Sequence, residues 1–396
     1  MTMAGYPRRW WATVGLIGVV YALFALTGCV NQPTTPTEKK AQGPVFFPAP
    51  PEPPRYQFLK SFWGPKDFAA ASKGGLLGSG EGEVMIKKPF GVVMRNGVIS
   101  LADTTTGVYQ FDLVNKQFLT FKGSKGLGKI VEPINLSADK ENNIFVCDPV
   151  RKQVMQYDKN DIFMRAFTYA EPWKPVAAQA FDDKLYVADA TKGTGGVKVF
   201  DLKSGKYLET IGLLDNPEQR LGIVTGIAFD KDGYLYAVDV FHFGIMKYDR
   251  DGHFRGKLGG PGDSPGYFGR PRGIAVDRAG RVYVVDAAFD VVQVFANTGQ
   301  MLTFFGNAED TEPGALTLPA GIFLDYDNIE FFKQYAAPGF EIEYLILVSS
   351  QFNKKQVINV YGYGKMQGVE YKSDRELYQE MLEKAAREKG EKGKEK

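Results

Sequence analysis

Short apolar runs, rich in β-branched and aromatic residues, alternate with polar turns through most of the chain, and this pattern repeats. The clearest copy spans Gly273–Asp286 and continues through Val291–Phe295 and Gly299–Gly306. Each copy holds four such runs, divided by Asp-Gly, Ala-Gly, Asn-Gly or Ser-Gly turns. Runs of this length with these turn residues are typical of antiparallel strands. Each copy therefore predicts one four-stranded antiparallel sheet.

Five copies align on an aspartate that ends the second strand. These aspartates are separated by 45, 41, 50 and 47 residues, and they are Asp103, Asp148, Asp189, Asp239 and Asp286. A lone four-stranded sheet cannot bury both of its faces, whereas neighbouring copies can cover each other. We expect the copies to pack as blades in a closed ring around a channel, which also protects the strand edges.

A sixth copy is degenerate, and its fourth strand is missing from the expected place. Its remaining parts are Gly321–Asp325, an insertion up to about Gly339, Glu343–Ser349 and Gln356–Tyr361. Tyr56–Gly64 matches the fourth-strand pattern of Gly299–Gly306. The pattern therefore favours closure of the last blade by this N-terminal segment, with Lys365–Tyr371 as the alternative.

Gly259–Gly306, with the sequence GGPGDSPGYFGRPRGIAVD at its start, resembles a full NHL repeat. The resemblance covers about residues 55 to 362, and it is strongest in the fourth and fifth copies. It implies a six-bladed β-propeller. We therefore expect an all-β fold, with the propeller over residues 55–372.

The N-terminal segment resembles the signal of a bacterial lipoprotein. Arg8 and Arg9 precede an apolar stretch that closes with Leu26-Thr27-Gly28-Cys29, which is similar to a lipobox. The alternative is a transmembrane anchor, but the 17 residues from Trp10 to Leu26 fall short of the roughly 20 that span a bilayer. The resemblance implies a signal peptide over 1–28, removed to leave Cys29 carrying diacylglycerol and palmitate. Because Val30 and not aspartate follows, it also implies an outer-membrane location.

Two segments flank the predicted propeller. Residues 29–54 contain eight prolines and little that could form a core, so we expect an extended tether there. Beyond the propeller, Ser373 or Asp374 can cap a charged helix over 373–396. Its apolar positions are Leu377, Met381 and Ala385.

Composition excludes some classes of function. The chain has 48 basic and 46 acidic residues, and loss of Arg8 and Arg9 with a signal peptide would leave the two counts equal. A neutral protein lacks the basic excess that binds nucleic acid, so nucleic acid is not an expected partner. The chain has two cysteines and no Cys-x-x-Cys-His motif, which excludes a covalent haem.

The repeated aspartates could in principle line a metal site, but an aspartate before a tight turn more often accepts hydrogen bonds from backbone N–H groups. We therefore interpret all five as structural. The only histidines are His242 and His253, so the three-histidine zinc site of the related peptidyl-amidoglycolate lyases cannot form. Cys147 stands where other copies have alanine or valine, which predicts a packed thiol.

Six-bladed sugar lactonases hold calcium in the channel with Glu, Asn and Asp, so a similar site is an alternative here. Its candidate ligands are Glu81, Glu83, Glu132 and Asn135. Their spacing is not diagnostic, and we assign no cofactor other than lipid at Cys29.

The loops between the second and third strands of each blade share one face with the connections between blades. This face is predicted to display aromatic and basic residues, the types that most often anchor protein interfaces. They are Arg151, Lys152, Trp173, Phe241, His242, Phe243, Arg270, Arg272, Phe289, Phe352 and Lys354.

We therefore expect a non-enzymatic module that binds a protein partner in the cell envelope through this face. The resemblance to envelope lipoproteins implies an assembly, with multihaem cytochromes as one associated class. The alternatives are a calcium-dependent hydrolase, lactonase or lyase that uses the channel, and a binder of extracellular glycan that stacks sugars on Trp173 and the phenylalanines.

Overall fold

The computed structural model describes residues 43–68, 86–193, 195–306, 312–352 and 356–373, together with Glu376 and Gln379. The strands in these residues form six antiparallel sheets. The innermost strands of successive sheets contact each other in a ring that returns from the sixth sheet to the first. The predicted all-β, six-bladed propeller is thus confirmed.

The strands follow the repeat. In chain order they are β1 (Phe46–Phe47), β2 (Tyr56–Phe62), β3 (Pro89–Arg95), β4 (Val98–Asp103), β5 (Gly107–Asp112), β6 (Gln117–Thr120), β7 (Asn135–Ala138), β8 (Ile144–Asp148), β9 (Gln153–Tyr157), β10 (Phe163–Phe167), β11 (Pro175–Phe181), β12 (Lys184–Asp189), β13 (Gly196–Asp201), β14 (Tyr207–Ile211), β15 (Val224–Phe229), β16 (Leu235–Asp239), β17 (Gly244–Tyr248), β18 (Phe254–Leu258), β19 (Pro271–Val276), β20 (Val282–Asp286), β21 (Val291–Phe295), β22 (Met301–Phe305), β23 (Pro319–Asp325), β24 (Phe340–Ser350) and β25 (Ile358–Met366). Blades one to five take four consecutive strands each, starting at β3, with the first strand of each blade innermost.

The last blade is closed by the N-terminal segment, as the sequence pattern favours. Its strand order is β1-β2-β25-β24-β23. Phe58 of β2 faces Tyr361 of β25, and Phe62 faces Ile358. The insertion between β23 and β24 contains two 3-10 turns, Ile329–Phe331 and Lys333–Tyr335.

The predicted tether over 29–54 is too long. Phe46 and Phe47 form β1, a fifth strand at the outer edge of the last blade. The ring of Phe46 packs 5.6 Å from that of Phe340, and the ring of Phe47 packs 6.3 Å from that of Phe305. Two adjacent aromatics among the prolines gain enough from burial to join the sheet. The compact unit therefore begins at Pro44, before the predicted boundary at 55.

The predicted signal peptide and Cys29 lie outside the described residues, and so does most of the predicted tail. At the start of the tail, the Ser373 backbone N–H donates to Glu376 Oε2 at 2.7 Å, and the Glu376 N–H donates back to Ser373 Oγ at 3.3 Å. This reciprocal pair is the arrangement of a helix capping box. No helix in the described part of the chain is long and apolar enough to cross a membrane.

Apolar layers between adjacent blades form the core. Between the sixth and first blades the layer includes Leu101, Leu345 and Val360, all with no exposed surface. Each of these side chains contributes roughly 1.5–3 kcal/mol relative to an exposed one. The alternating pattern of each strand thus supplies apolar residues to two neighbouring interfaces.

The innermost strands approach each other closely where glycine replaces a side chain. A Cβ at Gly226 would lie 2.7 Å from the carbonyl oxygen of Arg272, and one at Gly273 would lie 2.6 Å from that of Ala320. Glycine therefore permits backbone-to-backbone packing at this level. The channel that remains has a volume of about 60 Å³.

Candidate functional site

The loop face is the side of the ring that carries the loops between second and third strands and the connections between blades. Repeated aspartates hold it together. Asp286 accepts hydrogen bonds from the N–H groups of Gly269 and Arg270 in the preceding connection and from Ala288 in its own loop, each at 2.9 Å. It joins the two kinds of segment that make up the face.

The other four aspartates have the same position and the same kind of partners. Asp239, for example, accepts from the N–H groups of Gly222 at 2.6 Å and Phe241 at 2.9 Å. The remaining aspartates accept backbone N–H groups from Lys87, Lys88, Thr105 and Thr106 (Asp103), from Val131, Glu132 and Arg151 (Asp148), and from Lys174 and Thr191 (Asp189). All five carboxylates are buried and engaged by the fold.

Large apolar side chains are concentrated on the loop face. Of the 17 large hydrophobic residues that are exposed in the described part of the chain, nine lie in its loops and connections. We call these nine the apolar crown; they are Trp63, Leu127, Val131, Val150, Leu213, Phe241, Phe243, Tyr267 and Phe352. Phe241 is 66% exposed and Phe352 is 63% exposed. Large exposed apolar residues gathered on one face indicate a candidate interaction site.

Two crown phenylalanines have a backbone conformation that is unfavourable for their type. Phe243 has a φ of 48° and Phe352 has a φ of 61°, both in the left-handed region. Glycine or asparagine occupies this region at lower cost than a bulky residue. The equivalent turn position is also left-handed at Lys152 and Asp290, so the turn sets the backbone but does not require phenylalanine.

Of the basic residues predicted for the loop face, some are exposed to solvent and others are half-buried. Lys152 and Arg270 are exposed, whereas Arg151 is half-buried, with Nε donating to Gln153 Oε1 at 3.0 Å and Nη1 donating to Lys129 O at 2.5 Å. Arg272 is half-buried, as is the aromatic Phe289. Lys354 lies outside the described residues.

Two predicted contact residues are not displayed. Trp173 is only 4% exposed, and its indole N–H donates to the carbonyl of Lys152 at 2.8 Å. The ring of His242 is largely buried between Asp239, with Nδ1 2.9 Å from Oδ2, and the carbonyl of Pro217, with Nε2 at 3.2 Å. The prediction that Trp173 offers a stacking platform is wrong, because a loop residue can pack beneath the loop that it belongs to.

The channel does not fit a calcium site among the described residues. Its polar lining consists of Asn135, Ser137 and Gln179, and no carboxylate of the described residues lines it. Glu132 is exposed, and Glu81 and Glu83 lie outside the described residues. Calcium prefers six to eight oxygen ligands, several of them carboxylates, so the channel as described lacks the donor set.

Asp249, Asp251 and His253 form the only group of three potential metal ligands in the described part of the chain. It lies on an exposed turn between β17 and β18. Asp249 Oδ1 accepts the N–H groups of Asp251 at 3.0 Å and His253 at 2.9 Å, and its other oxygen accepts from Arg255 Nε at 2.9 Å. Turn geometry and a neighbouring guanidinium already account for the carboxylate.

A buried tyrosine network on the opposite face was not predicted. Tyr283 Oη lies 2.6 Å from Tyr344 Oη, which donates to Asp277 Oδ2 at 2.8 Å. Arg281 Nε donates to the same oxygen at 2.6 Å, and Arg281 Nη1 donates to Tyr363 Oη at 2.6 Å. Tyr283 has tyrosine counterparts at Tyr186 and Tyr236, so the repeat itself gives no signal for the network. It fastens the fifth blade to the last one.

Comparisons with known proteins agree with the repeat. No protein-family model matches the chain. The chain is 25% identical over 172 residues to NHL repeat-containing protein 3 of Homo sapiens, an alignment that covers 39% of this chain and 48% of that protein. This chain therefore spans about half the length of that curated relative.

Solved structures resemble the fold. A structural-genomics protein of unknown function from Bacteroides thetaiotaomicron has a TM-score of 0.54 at 16% identity, covering 77% of this chain and 75% of that one. A gluconolactonase from Xanthomonas campestris has a TM-score of 0.50 at 13% identity, covering 82% of this chain and 99% of that one. At these identities the similarity concerns the fold alone.

Proposed function

We propose that this six-bladed β-propeller, a distant homologue of an NHL repeat-containing protein, is a non-enzymatic module that binds a protein partner through its loop face. The observation that carries the proposal is the concentration of exposed apolar residues in the apolar crown. Such residues form the desolvated centre of a protein interface. Exposed Lys152 and Arg270 lie on the same face and suit its polar rim.

The backbone of the crown supports the same proposal. Strained conformations of bulky residues persist where the surrounding structure imposes them, and they cluster at functional sites. Phe243 and Phe352 occupy left-handed positions at the tips of two different blades. Contact with a protein partner would explain why phenylalanine occupies these two positions.

The N-terminal sequence supports a proposal for the location. We propose that Cys29 carries lipid and anchors the propeller at the outer membrane, where its partner belongs to an envelope assembly. Multihaem cytochromes are one class of assembly consistent with the family resemblance. A Cys29→Ser variant tests the anchor: labelled palmitate should no longer be incorporated, and the protein should leave the membrane fraction.

The second candidate is a metal-dependent hydrolase, supported by the fold of the gluconolactonase from Xanthomonas campestris. The channel lining disfavours it, because the described residues place no carboxylate there. A glycan-binding role remains as a third candidate through Phe241 and Phe352, without the stacking surface of Trp173. Saturable binding of a polysaccharide in the absence of turnover would favour that role.

The test is crosslinking in intact cell envelopes followed by mass spectrometry. A Phe241→Ala, Phe243→Ala variant is compared with wild type and with Phe304→Ala, which removes a phenylalanine of 52% exposure from the outer strand β22. We expect one enriched partner in wild type and in Phe304→Ala that is lost from the double variant. Equal recovery from all three proteins would overturn the proposal.

A further inference from the structure

Six equivalent residues surround the mouth of the channel on the loop face. Each precedes the position at which the innermost strands approach most closely. They are Phe90, Ile134, Val176, Thr225, Arg272 and Ala320. Five are apolar or hydroxyl-bearing, and Arg272 is the one charged member. A cation at one of six equivalent positions is not a requirement of the blade.

Arg272 reaches across the mouth from the fifth blade. Its Nη1 donates to Gln351 Oε1 of the sixth blade at 3.0 Å, and its guanidinium carbon lies 5.6 Å from the ring centre of Phe90 in the first blade. No carboxylate in the described part of the chain forms an ion pair with it. Burial and the nearby charge of Arg270 lower the pKa of Arg272 to about 10. Both effects penalise a cation that has no anion beside it.

Gln351 adds an unused donor to the same place. The residue is 2% exposed, and its Nε2 has no hydrogen-bond partner among the described residues, although its Oε1 accepts from Arg272. A buried amide N–H group without a partner is rare in folded proteins and calls for an explanation. The mouth therefore offers a guanidinium and an amide donor on adjacent side chains, and no carboxylate among the described residues pairs with either of them.

We propose that Arg272 and Gln351 form a carboxylate-binding site at the channel mouth that takes an acidic side chain of the protein partner. The inference rests on the proposed function and names the chemistry of the partner's central contact. A carboxylate supplies one oxygen to each donor and matches the planar guanidinium. A partner docked on the apolar crown would exclude water from this pair, which strengthens it.

The test uses glutamate blocked as its N-acetyl methylamide, with blocked glutamine as the matched neutral probe. Nuclear magnetic resonance follows the arginine Nε–H signals of the protein, and the Arg272 signal is identified by its absence from Arg272→Lys. We expect a saturable shift of this signal with blocked glutamate and none with blocked glutamine. Equal shifts with both probes, or none with either, would overturn the site.

Variants separate this inference from the proposed function. Arg272→Gln should weaken blocked-glutamate binding on the order of tenfold or more. Arg250→Gln, which changes an exposed arginine on the opposite face, should leave it unchanged. If crosslinking of the partner is lost in Phe241→Ala, Phe243→Ala but kept in Arg272→Gln, the docking face stands and the carboxylate site is wrong. A larger shift with inorganic phosphate than with blocked glutamate would also refute a carboxylate site.

Discussion

Replacement of Asp286 by alanine should destabilise the propeller far more than the equivalent change in the sixth blade. Asp286 has no exposed surface and accepts three backbone N–H groups at 2.9 Å. A buried N–H group left unpaired costs about 1–3 kcal/mol. Because Arg270 and Ala288 are exposed and can recover water, we take the lower end for each donor. The expected loss is about 3 kcal/mol of unfolding free energy.

Ser350 provides the matched control. It occupies the aspartate position of the sixth blade, since it faces Pro319 as Asp286 faces Pro271. Its hydroxyl accepts one N–H, from Thr317, at 3.3 Å. Ser350→Ala should therefore cost about 1 kcal/mol or less.

The assay is urea unfolding of wild type, Asp286→Ala and Ser350→Ala, with a common slope to confirm that the same surface unfolds. Each measurement is repeated with a chelator present. Equal losses in the two variants would refute the hydrogen-bond argument. A chelator that lowered wild-type stability to that of Asp286→Ala would show instead that the aspartate binds a metal ion.

Three further predictions follow from the described contacts. Phe352→Asn should change the unfolding free energy by less than about 1 kcal/mol, because asparagine relieves the left-handed backbone strain and the lost ring is mostly exposed. Partner crosslinking should nevertheless fall. Unchanged crosslinking would count against the apolar crown as the docking site. Burial raises the pKa of Asp103, but hydrogen bonds from Thr105 and Lys88 outweigh this and hold it below the ordinary 3.8. The stabilisation by Asp103 is therefore present above pH 3.8 and is lost as the pH falls through the lower pKa of the folded protein. In urea unfolding, the unfolding free energy of Asp103→Asn should fall less with acidification than that of wild type. Burial raises the pKa of the Cys147 thiol and keeps the thiol from solvent, so in a Cys29→Ser variant a thiol reagent should react only as the protein unfolds. Rapid reaction of that variant in its native state would contradict this placement.

The fold was predictable because each blade repeats local signals. Alternating residues and turn residues specify strands such as β20 without reference to the rest of the chain, and the fourth-strand pattern of Tyr56–Gly64 carries the closure of the ring. The pair Phe46–Phe47 gave no such signal, because a two-residue strand among prolines has no periodicity. Its position depends on ring contacts with Phe340 and Tyr361 of the last blade, which are distant in the sequence.

The candidate site was predictable only in part. Repeat positions identify which loops share a face, and they placed Phe241, Phe243 and Phe352 on it. Repeat positions do not show which loop side chains pack against the blade. Trp173 packs inward because the carbonyl of Lys152 in the neighbouring loop accepts its indole N–H. The pair of Arg272 and Gln351 is separated by 79 residues and becomes visible only when the ring is closed.

Partner docking on the loop face is tested most directly by site-specific photocrosslinking in living cells, with benzoylphenylalanine incorporated at position 241 or at position 304. Both sites hold an exposed phenylalanine, one in the apolar crown and one on the outer strand β22. A partner docked on the loop face should give a discrete adduct from position 241 and none from position 304. The same adduct from both positions, or an adduct from position 304 alone, would contradict a partner docked on the loop face.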